Sequence, residues 1–461
     1  MEEKIRELAS IVGEQWVIID PDIIESYTHD ETLYIKNTPL AVIKPANTEE
    51  VKELVKWAIK YKVPVTARGG GTGLSGGAVP LPQGLVISLE RMNRIIEIDE
   101  DNLMAVVEPG VITQDLAKAV EGRGLLYAPD PASLDSCTIG GNIAEGAGGP
   151  RTVKYGTTKD YVKGLEVVLP TGEVLNLGGK LVKDVVSAKL IPLFISQEGT
   201  LGIITKAILK LLPLPEYTLD ILVPFGDMVK AGEAVSTIVR KKIVPAVIEF
   251  IDNNAIQAAS KFLKRELPFC DAEAHLFIEV DGNYPEILEK EIETIGEICF
   301  ELGAYDVFLA DNKQDKERLW ESRRCLHEAM VQISPTIAEE DVVVPRSKIP
   351  HLIQFIRQIE KEDNLHIITF GHAGDGNVHV NILKRDIPDN EWAEISRRTI
   401  EKIFKFTVEL GGTISGEHGI GLDKREFLNI ALQSEAIELI RKIKRTLDPY
   451  NIMNPGKIVE V

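Results

Sequence analysis

Apolar residues recur at helical spacing through Val51, Leu54, Val55 and Ala58, directly after the polar run Thr48-Glu49-Glu50. That pattern predicts a helix over 48–61 with Thr48 as its N-cap, and a weaker one over 2–13. The run from Val63 to Ala67 predicts a short buried strand. Further strands are expected near 84–89, 94–98, 103–108, 162–169 and 173–177, with a helix near 113–121. Pro213 and Pro215 then break the pattern, as at a domain boundary. Beyond it, candidate strands (218–224, 246–251, 274–280) alternate with candidate helices (227–240, 284–301, 312–330). This alternation predicts an α+β arrangement with an antiparallel sheet. Residues 366–384 predict a hairpin that turns at Gly374-Asp375-Gly376-Asn377, and 390–410 and 434–447 predict helices.

Composition narrows the classes. At 461 residues the chain is long enough for about three domains, or two with one large. Hydrophobic residues at 44% and charged ones at 27% exclude disorder and fibrous folds. The balance of 52 basic against 71 acidic residues leaves a net charge of -19, which suits neither nucleic acid nor an anionic membrane. No apolar run reaches the ~18 residues of a transmembrane helix. The start, Met1-Glu2-Glu3-Lys4, has no basic or apolar signal region, so a cytoplasmic protein is expected, membrane-peripheral only through a partner subunit. Cys137, Cys270, Cys299 and Cys325 are too far apart for zinc ribbons, CxxC motifs or local iron–sulfur motifs. They are expected to be reduced and mostly buried, so electron transfer would need another cofactor.

Two stretches are dense in glycine. The first, Arg68-Gly69-Gly70-Gly71-Thr72-Gly73-Leu74-Ser75-Gly76-Gly77, contains a formal GxGxxG. A Rossmann site needs that motif to open a helix, but Pro80 and Pro82 follow within a few residues. NAD binding is therefore rejected. Consecutive glycines let backbone N–H groups converge, which suits a pyrophosphate; a plain surface loop is the bland alternative. The second stretch runs from Pro129-Asp130-Pro131-Ala132-Ser133 through Gly140-Gly141-Asn142 to Gly148-Gly149, with small residues where an extended ligand would pass. Two such loops in one strand-rich region make a large dinucleotide plausible.

With these motifs in view, the chain resembles the FAD-linked oxidases of the vanillyl-alcohol oxidase (PCMH-type) fold, and within them the group formed by the glycolate oxidases and the D-lactate dehydrogenases. Pro64 to Thr72, the 129–149 segment, Lys154-Tyr155-Gly156 with Gly164 to Gly172, and Glu198-Gly199-Thr200-Leu201-Gly202-Ile203-Ile204-Thr205 carry the resemblance, together with the C-terminal motifs below. The resemblance implies an α+β protein: a two-subdomain FAD-binding domain over 1–215, an α/β cap domain with an antiparallel sheet over 216–425, and a segment over 426–461 returning to the FAD domain. It implies that Arg68, Gly69, Gly70, Gly71, Thr72, Gly73 and Leu74 hold the pyrophosphate. Pro129, Asp130, Ser133, Thr138, Gly141, Asn142, Ala144, Gly148 and Gly149 would follow the ribityl chain, ring and adenosine. Tyr155, Gly156, Glu198, Gly199, Ile203 and Ile204 complete that set, and Asn454, in the closing signature Asn454-Pro455-Gly456-Lys457, would lie near the flavin. Covalent relatives carry a histidine beside the loop glycines; here no histidine lies between His29 and His275, so noncovalent FAD is expected. Glu145-Gly146 stands where relatives often place an asparagine near the flavin, which bears on flavin tuning.

Three of the eight histidines fall in two further glycine-rich segments, Gly371-His372-Ala373-Gly374-Asp375-Gly376-Asn377-Val378-His379 and Ser415-Gly416-Glu417-His418-Gly419. The predicted hairpin puts His372 and His379 on opposite arms, and Glu417 would complete a set of two histidines and a carboxylate. Such a set with vacant positions suits a catalytic Zn²⁺, Mn²⁺ or Fe²⁺; ordinary packing against the turns is the alternative. Both segments match the metal-bearing segments of the resembled family. That resemblance also implies His418 as the base and Arg323 as the substrate-carboxylate residue. Asn381 shares a strand face with His379 and could donate a further hydrogen bond. His327 and Glu339 stand where hydroxyglutarate-oxidising relatives place a threonine and a lysine, which favours smaller acids such as D-lactate or glycolate.

The expected activity is oxidation of a small D-2-hydroxy acid to the 2-oxo acid by hydride transfer to flavin N5. Electrons would pass to an iron–sulfur subunit, an electron-transferring flavoprotein, a cytochrome or a quinone, in a homo-oligomer or hetero-complex. An ether-lipid synthase on the same fold would need a longer chain. A non-catalytic electron-relay subunit would not need a chelating histidine set.

Overall fold

The computed structural model describes every residue except Met1, Leu33, Ser187 and Asp311. The chain forms two compact units. One comprises Met1–Ala147, Thr157–Leu214 and Glu417–Val461; the other comprises Gly148–Gly156 and Pro215–Gly416. Among the described residues no helix is long and apolar enough to cross a membrane.

The first unit holds two main sheets. In one, the strands run in the order Val17–Ile18, Ala41–Ile43, Leu85–Ser88, Val65–Arg68, and the last three are parallel. The helix Thr48–Tyr61 packs Val51, Leu54, Val55 and Ala58 onto this sheet, as its apolar spacing predicts. Its cap is Asn47, not Thr48: the Asn47 side chain accepts from the Glu50 N–H at 3.0 Å. Thr48 is the first helical residue and donates instead to Glu166. The C-terminal segment extends the open edge of this sheet, where Val65 donates to the Ile452 carbonyl and accepts from Asn454. The other sheet is antiparallel, in the order Ile95–Asp99, Met104–Val107, Ile203–Lys210, Val162–Val168, Val174–Gly178.

No helix follows the first glycine-rich stretch; turns lead to Leu85–Ser88, as the two prolines require. Within the second stretch, residues Ile139–Glu145 form a short helix capped by Thr138. Gly140 is small because a Cβ there would meet the Pro109 side chain at 2.6 Å.

The second unit is built on a seven-stranded sheet, antiparallel throughout. Its order is Phe308–Ala310, Tyr217–Phe225, Ala274–Gly282, Val247–Asp252, His366–Gly371, Asn377–Leu383, Ile337–Val343. The expected hairpin is present over 366–383. The single helix expected over 312–330 is instead two, Lys313–Arg324 and Leu326–Ile333, broken at Cys325. The break turns Leu326, Ala329 and Met330 onto Ile368 and Phe370, which buries an apolar face that a straight helix would leave exposed. The strand Ile337–Val343 and the helices Asn253–Phe262 and Ile349–Glu362 were not legible from the pattern. Cys137, Cys299 and Cys325 are buried, and all four cysteines are free thiols.

Candidate active site

Residues directly opposite one another in a ladder share a face, as do residues two apart along a strand. The registers Glu249↔Phe277, Ile251↔Phe370, Phe370↔His379, Asp341↔His379 and Glu339↔Asn381 therefore gather Glu249, Phe370, His379, Asn381, Glu339 and Asp341 on one face of the second unit's sheet. A carboxylate in mid-strand between Ile248 and Phe250 is expensive unless it is bonded. Glu249 is fully buried, and both of its oxygens are used. His372 Nδ1 lies 2.6 Å from one, and Arg323 Nε donates to the other at 2.5 Å. Burial pushes the Glu249 carboxyl up, but His372 and Arg323 outweigh it and hold it down at about 2.

His372 sits just past Gly371, at the head of the hairpin turn. The turn is tight: Gly376 has φ +95°, and a Cβ on it would lie 2.0 Å from the Val344 carbonyl oxygen. This geometry brings the His372 and His379 rings to 5.3 Å between centroids, with planes at 88°. Both histidines are buried. A carboxylate can only accept, so His372 Nδ1 carries the proton of this bond, and Nε2 is the nitrogen that would ligate an ion. A metal-ligating histidine whose second nitrogen is held by a carboxylate has this arrangement, so the donor chemistry fits a divalent ion.

Arg323 lies one turn after buried Leu319 on Lys313–Arg324 and points to the same face. Its guanidinium stacks over the Phe370 ring at 4.6 Å. Among the described residues its bond to Glu249 uses only Nε, and neither terminal nitrogen has a hydrogen-bond partner. The end of the fork is therefore available to a bidentate carboxylate. Arg323 also lines a cavity of about 300 Å³ walled by Leu222, Ile251, Phe277 and Phe308. Asn381 is fully buried on the same face as His379, and its amide donates weakly to the Ile368 carbonyl at 3.3 Å. His327 Nδ1 lies 3.6 Å from Glu339. Asp341, opposite His379, accepts from the Ser415 hydroxyl and the Gly416 N–H, at 3.0 and 2.9 Å. Gly416 ends this unit's long segment; Glu417 and His418 are the next two residues and open the last stretch of the first unit.

In the first unit, the loop after Val65–Arg68 carries the other candidate group. None of the N–H groups from Gly69 to Gly73 donates to a described residue. A run of unused donors fits a phosphate-bearing ligand. The Arg68 guanidinium packs against Gly71, where a Cβ would lie 2.1 Å from it, and donates to the carbonyls of His29 and Ser26. Thr138 caps the helix to Gly141, and the Asn142 amide donates to Thr113. The Asn454 amide donates to the carbonyls of Gly77 and Glu198 at 2.8 and 2.6 Å, so this side chain ties the tail to both segments. Pro129, Asp130, Ser133, Ala144, Gly199, Ile203 and Ile204 lie in the same unit, whereas Gly148, Gly149, Tyr155 and Gly156 belong to the other. There the Tyr155 hydroxyl donates to Asp281 at 2.6 Å.

Two acids in the first unit were not singled out as a pair by sequence. Glu198 is buried and Glu145 half-buried; both carboxylates lie against Gly77 and Gly419, and both act on buried Lys457. Burial, reinforced by its Glu198 and Asp30 neighbours, raises the Glu145 carboxyl well above the usual range. Burial also raises Glu198, to about 7, although the Ile420 and Gly421 N–H groups bond it at 2.8 and 2.7 Å. Glu249 was likewise missed; its one signal was a lone carboxylate inside an apolar strand pattern.

The two units define a class: one offers a donor-rich loop for a nucleotide cofactor, the other a buried site of histidines, carboxylate and arginine suited to a small acid. Comparison with known proteins specifies it. The model of the C-terminal domain of FAD-linked oxidases matches residues 214–458, and that of an FAD-binding domain matches residues 39–178. The chain belongs to the FAD-linked oxidase family and is an FAD-linked oxidoreductase. It is 43% identical to the glycolate oxidase subunit GlcD of Bacillus subtilis (strain 168), over 94% of this chain and 91% of that one. It is 38% identical to a D-lactate dehydrogenase of Anaerostipes hadrus, over 99% and 97%. The crystal structure of p-cresol methylhydroxylase with substrate bound shares the fold, with a TM-score of 0.80 at 17% identity over 100% and 97% of the chains.

Proposed function

We propose that this protein oxidises a small D-2-hydroxy acid, D-lactate or glycolate, to the 2-oxo acid and passes the electrons to a partner protein or a quinone. The observation that supports it most is the Glu249 cluster, which sets a histidine and an arginine with an open fork on the sheet face that carries His379 and Asn381. The relatives named for glycolate and D-lactate support the same substrate class. When bound, FAD supplies the hydride acceptor and a divalent metal supplies a Lewis acid that makes the substrate hydroxyl more acidic. In this reading His372, His379 and Glu417 are the metal's ligands. Arg323 binds the substrate carboxylate through its terminal nitrogens, which fixes the Cα–H direction. Asn381 donates a hydrogen bond to the bound acid. His418 accepts the hydroxyl proton, so the substrate loses one proton and one hydride and becomes the 2-oxo acid. The row of donors from Gly69 to Gly73 binds the pyrophosphate. A non-catalytic relay subunit would have no use for this buried acid-binding cluster.

An anaerobic titration of the FAD- and metal-loaded protein tests the reading. D-lactate or glycolate should bleach the visible flavin band, L-lactate should not, and a chelator should abolish the bleaching. A yellow protein that no 2-hydroxy acid bleaches would overturn the substrate assignment and raise the relay role.

A further inference from the structure

We propose that Glu249 is a positioning residue that couples the metal side of the site to its substrate-carboxylate side; the inference rests on the function proposed above. The geometry is that of a bridge. One oxygen holds His372 Nδ1 at 2.6 Å and the other holds Arg323 Nε at 2.5 Å. The partners arrive from separate elements: His372 from the hairpin turn after His366–Gly371, Arg323 from the helix Lys313–Arg324. Glu249 itself stands on the strand Val247–Asp252 and is fully buried. Water therefore cannot replace either bond, and a shift of the carboxylate moves both partners.

Each bond also makes a selection. The bond to His372 sets the tautomer that presents Nε2 as a ligand, and it makes that nitrogen a better donor to an ion. The bond to Arg323 takes Nε, the atom of one edge of the guanidinium, and leaves the opposite end for a carboxylate. A lysine at position 323 could not be held and open in this way. Phe370 stacks on the same guanidinium at 4.6 Å, so the arginine is fixed from two directions.

The test uses FAD-loaded protein stripped of metal and titrated calorimetrically with Zn²⁺ alone, followed by steady-state kinetics with D-lactate. Glu249→Gln should keep its flavin. It should bind Zn²⁺ roughly 10- to 100-fold more weakly, the range seen when a histidine ligand loses its outer partner. It should also raise KM for D-lactate more than it lowers kcat, because a loosened Arg323 weakens binding first. A merely structural role would lower thermal stability without moving Zn²⁺ affinity, and a wild-type affinity in the variant overturns the inference. Should Glu249→Gln not fold, Glu249→Asp carries the test. Its carboxylate is too short to reach both partners, so either Zn²⁺ affinity or KM must move by about fivefold or more, and neither moving overturns it. The two failures are separable. Wild-type protein that binds Zn²⁺ but is reduced by no hydroxy acid refutes the proposed substrate and leaves the Zn²⁺ comparison standing. Wild-type protein that binds no metal refutes the metal site and the coupling together.

Discussion

His372 and His379 meet edge to face, 5.3 Å between ring centroids, across a turn whose glycines leave no room for side chains. The pair is a product of that turn. His379→Ala should therefore retain flavin and fold, yet lose Zn²⁺ affinity by more than the roughly 100-fold expected for an outer partner. Calorimetry on the FAD-loaded variant measures it, together with the loss of flavin bleaching by D-lactate.

Gly376→Ala tests the turn itself. With φ at +95° and a Cβ 2.0 Å from the Val344 carbonyl oxygen, the substitution must distort the hairpin. A cost of about 1–3 kcal/mol is expected. A lower Tm with weaker Zn²⁺ binding is the predicted outcome. An unchanged Zn²⁺ isotherm would show that the turn does not set the histidine geometry.

Arg323→Met removes the open guanidinium fork while keeping an unbranched side chain over Phe370. Loss of a charged partner to a bound carboxylate costs about 2–5 kcal/mol. The value of kcat/KM for D-lactate should fall by roughly 30-fold to several thousand-fold, mostly through KM, with flavin content unchanged. Steady-state kinetics over a wide substrate range separates the two parameters.

Glu198 predicts a pH dependence of stability. Burial raises its folded carboxyl from 4.5 to about 7. A raised folded value means that its contribution is fully present below pH 4.5 and is lost as pH rises through about 7. The difference is of the order of 3 kcal/mol. Thermal melts between pH 4 and 8 should show wild-type protein losing stability, relative to Glu198→Gln, as pH rises across that window. Parallel curves for the two proteins would refute the burial account.

The elements with strong periodicity were legible. The helices over 113–121 and 434–447, the hairpin near 366–384 and the 247–252 strand appear close to where apolar spacing predicts them. The candidate residues were visible because histidine, glycine and carboxylate are unusual at such density. What misled was local chemistry decided by neighbours. Asn47 and Thr48 are both good caps, and only the path of the chain chooses between them. Cys325 breaks a helix that its sequence would continue, because the second half gains apolar contacts by turning. Gly140 also packs against Pro109, a contact that residue spacing does not display.

By itself, the sequence determined the class of fold, the glycine-rich donor loop, the hairpin and the identity of its histidines. Each of these rests on residue type and short-range spacing, which a linear chain displays directly. Only the tertiary structure decided that Glu249 joins His372 to Arg323, because strand register and helix placement bring together residues 123 and 74 positions apart. It likewise decided that Glu145 and Glu198 meet against Gly77 and Gly419. A carboxylate in a sequence carries no mark of burial; its partners and its charge state follow from what folding packs around it.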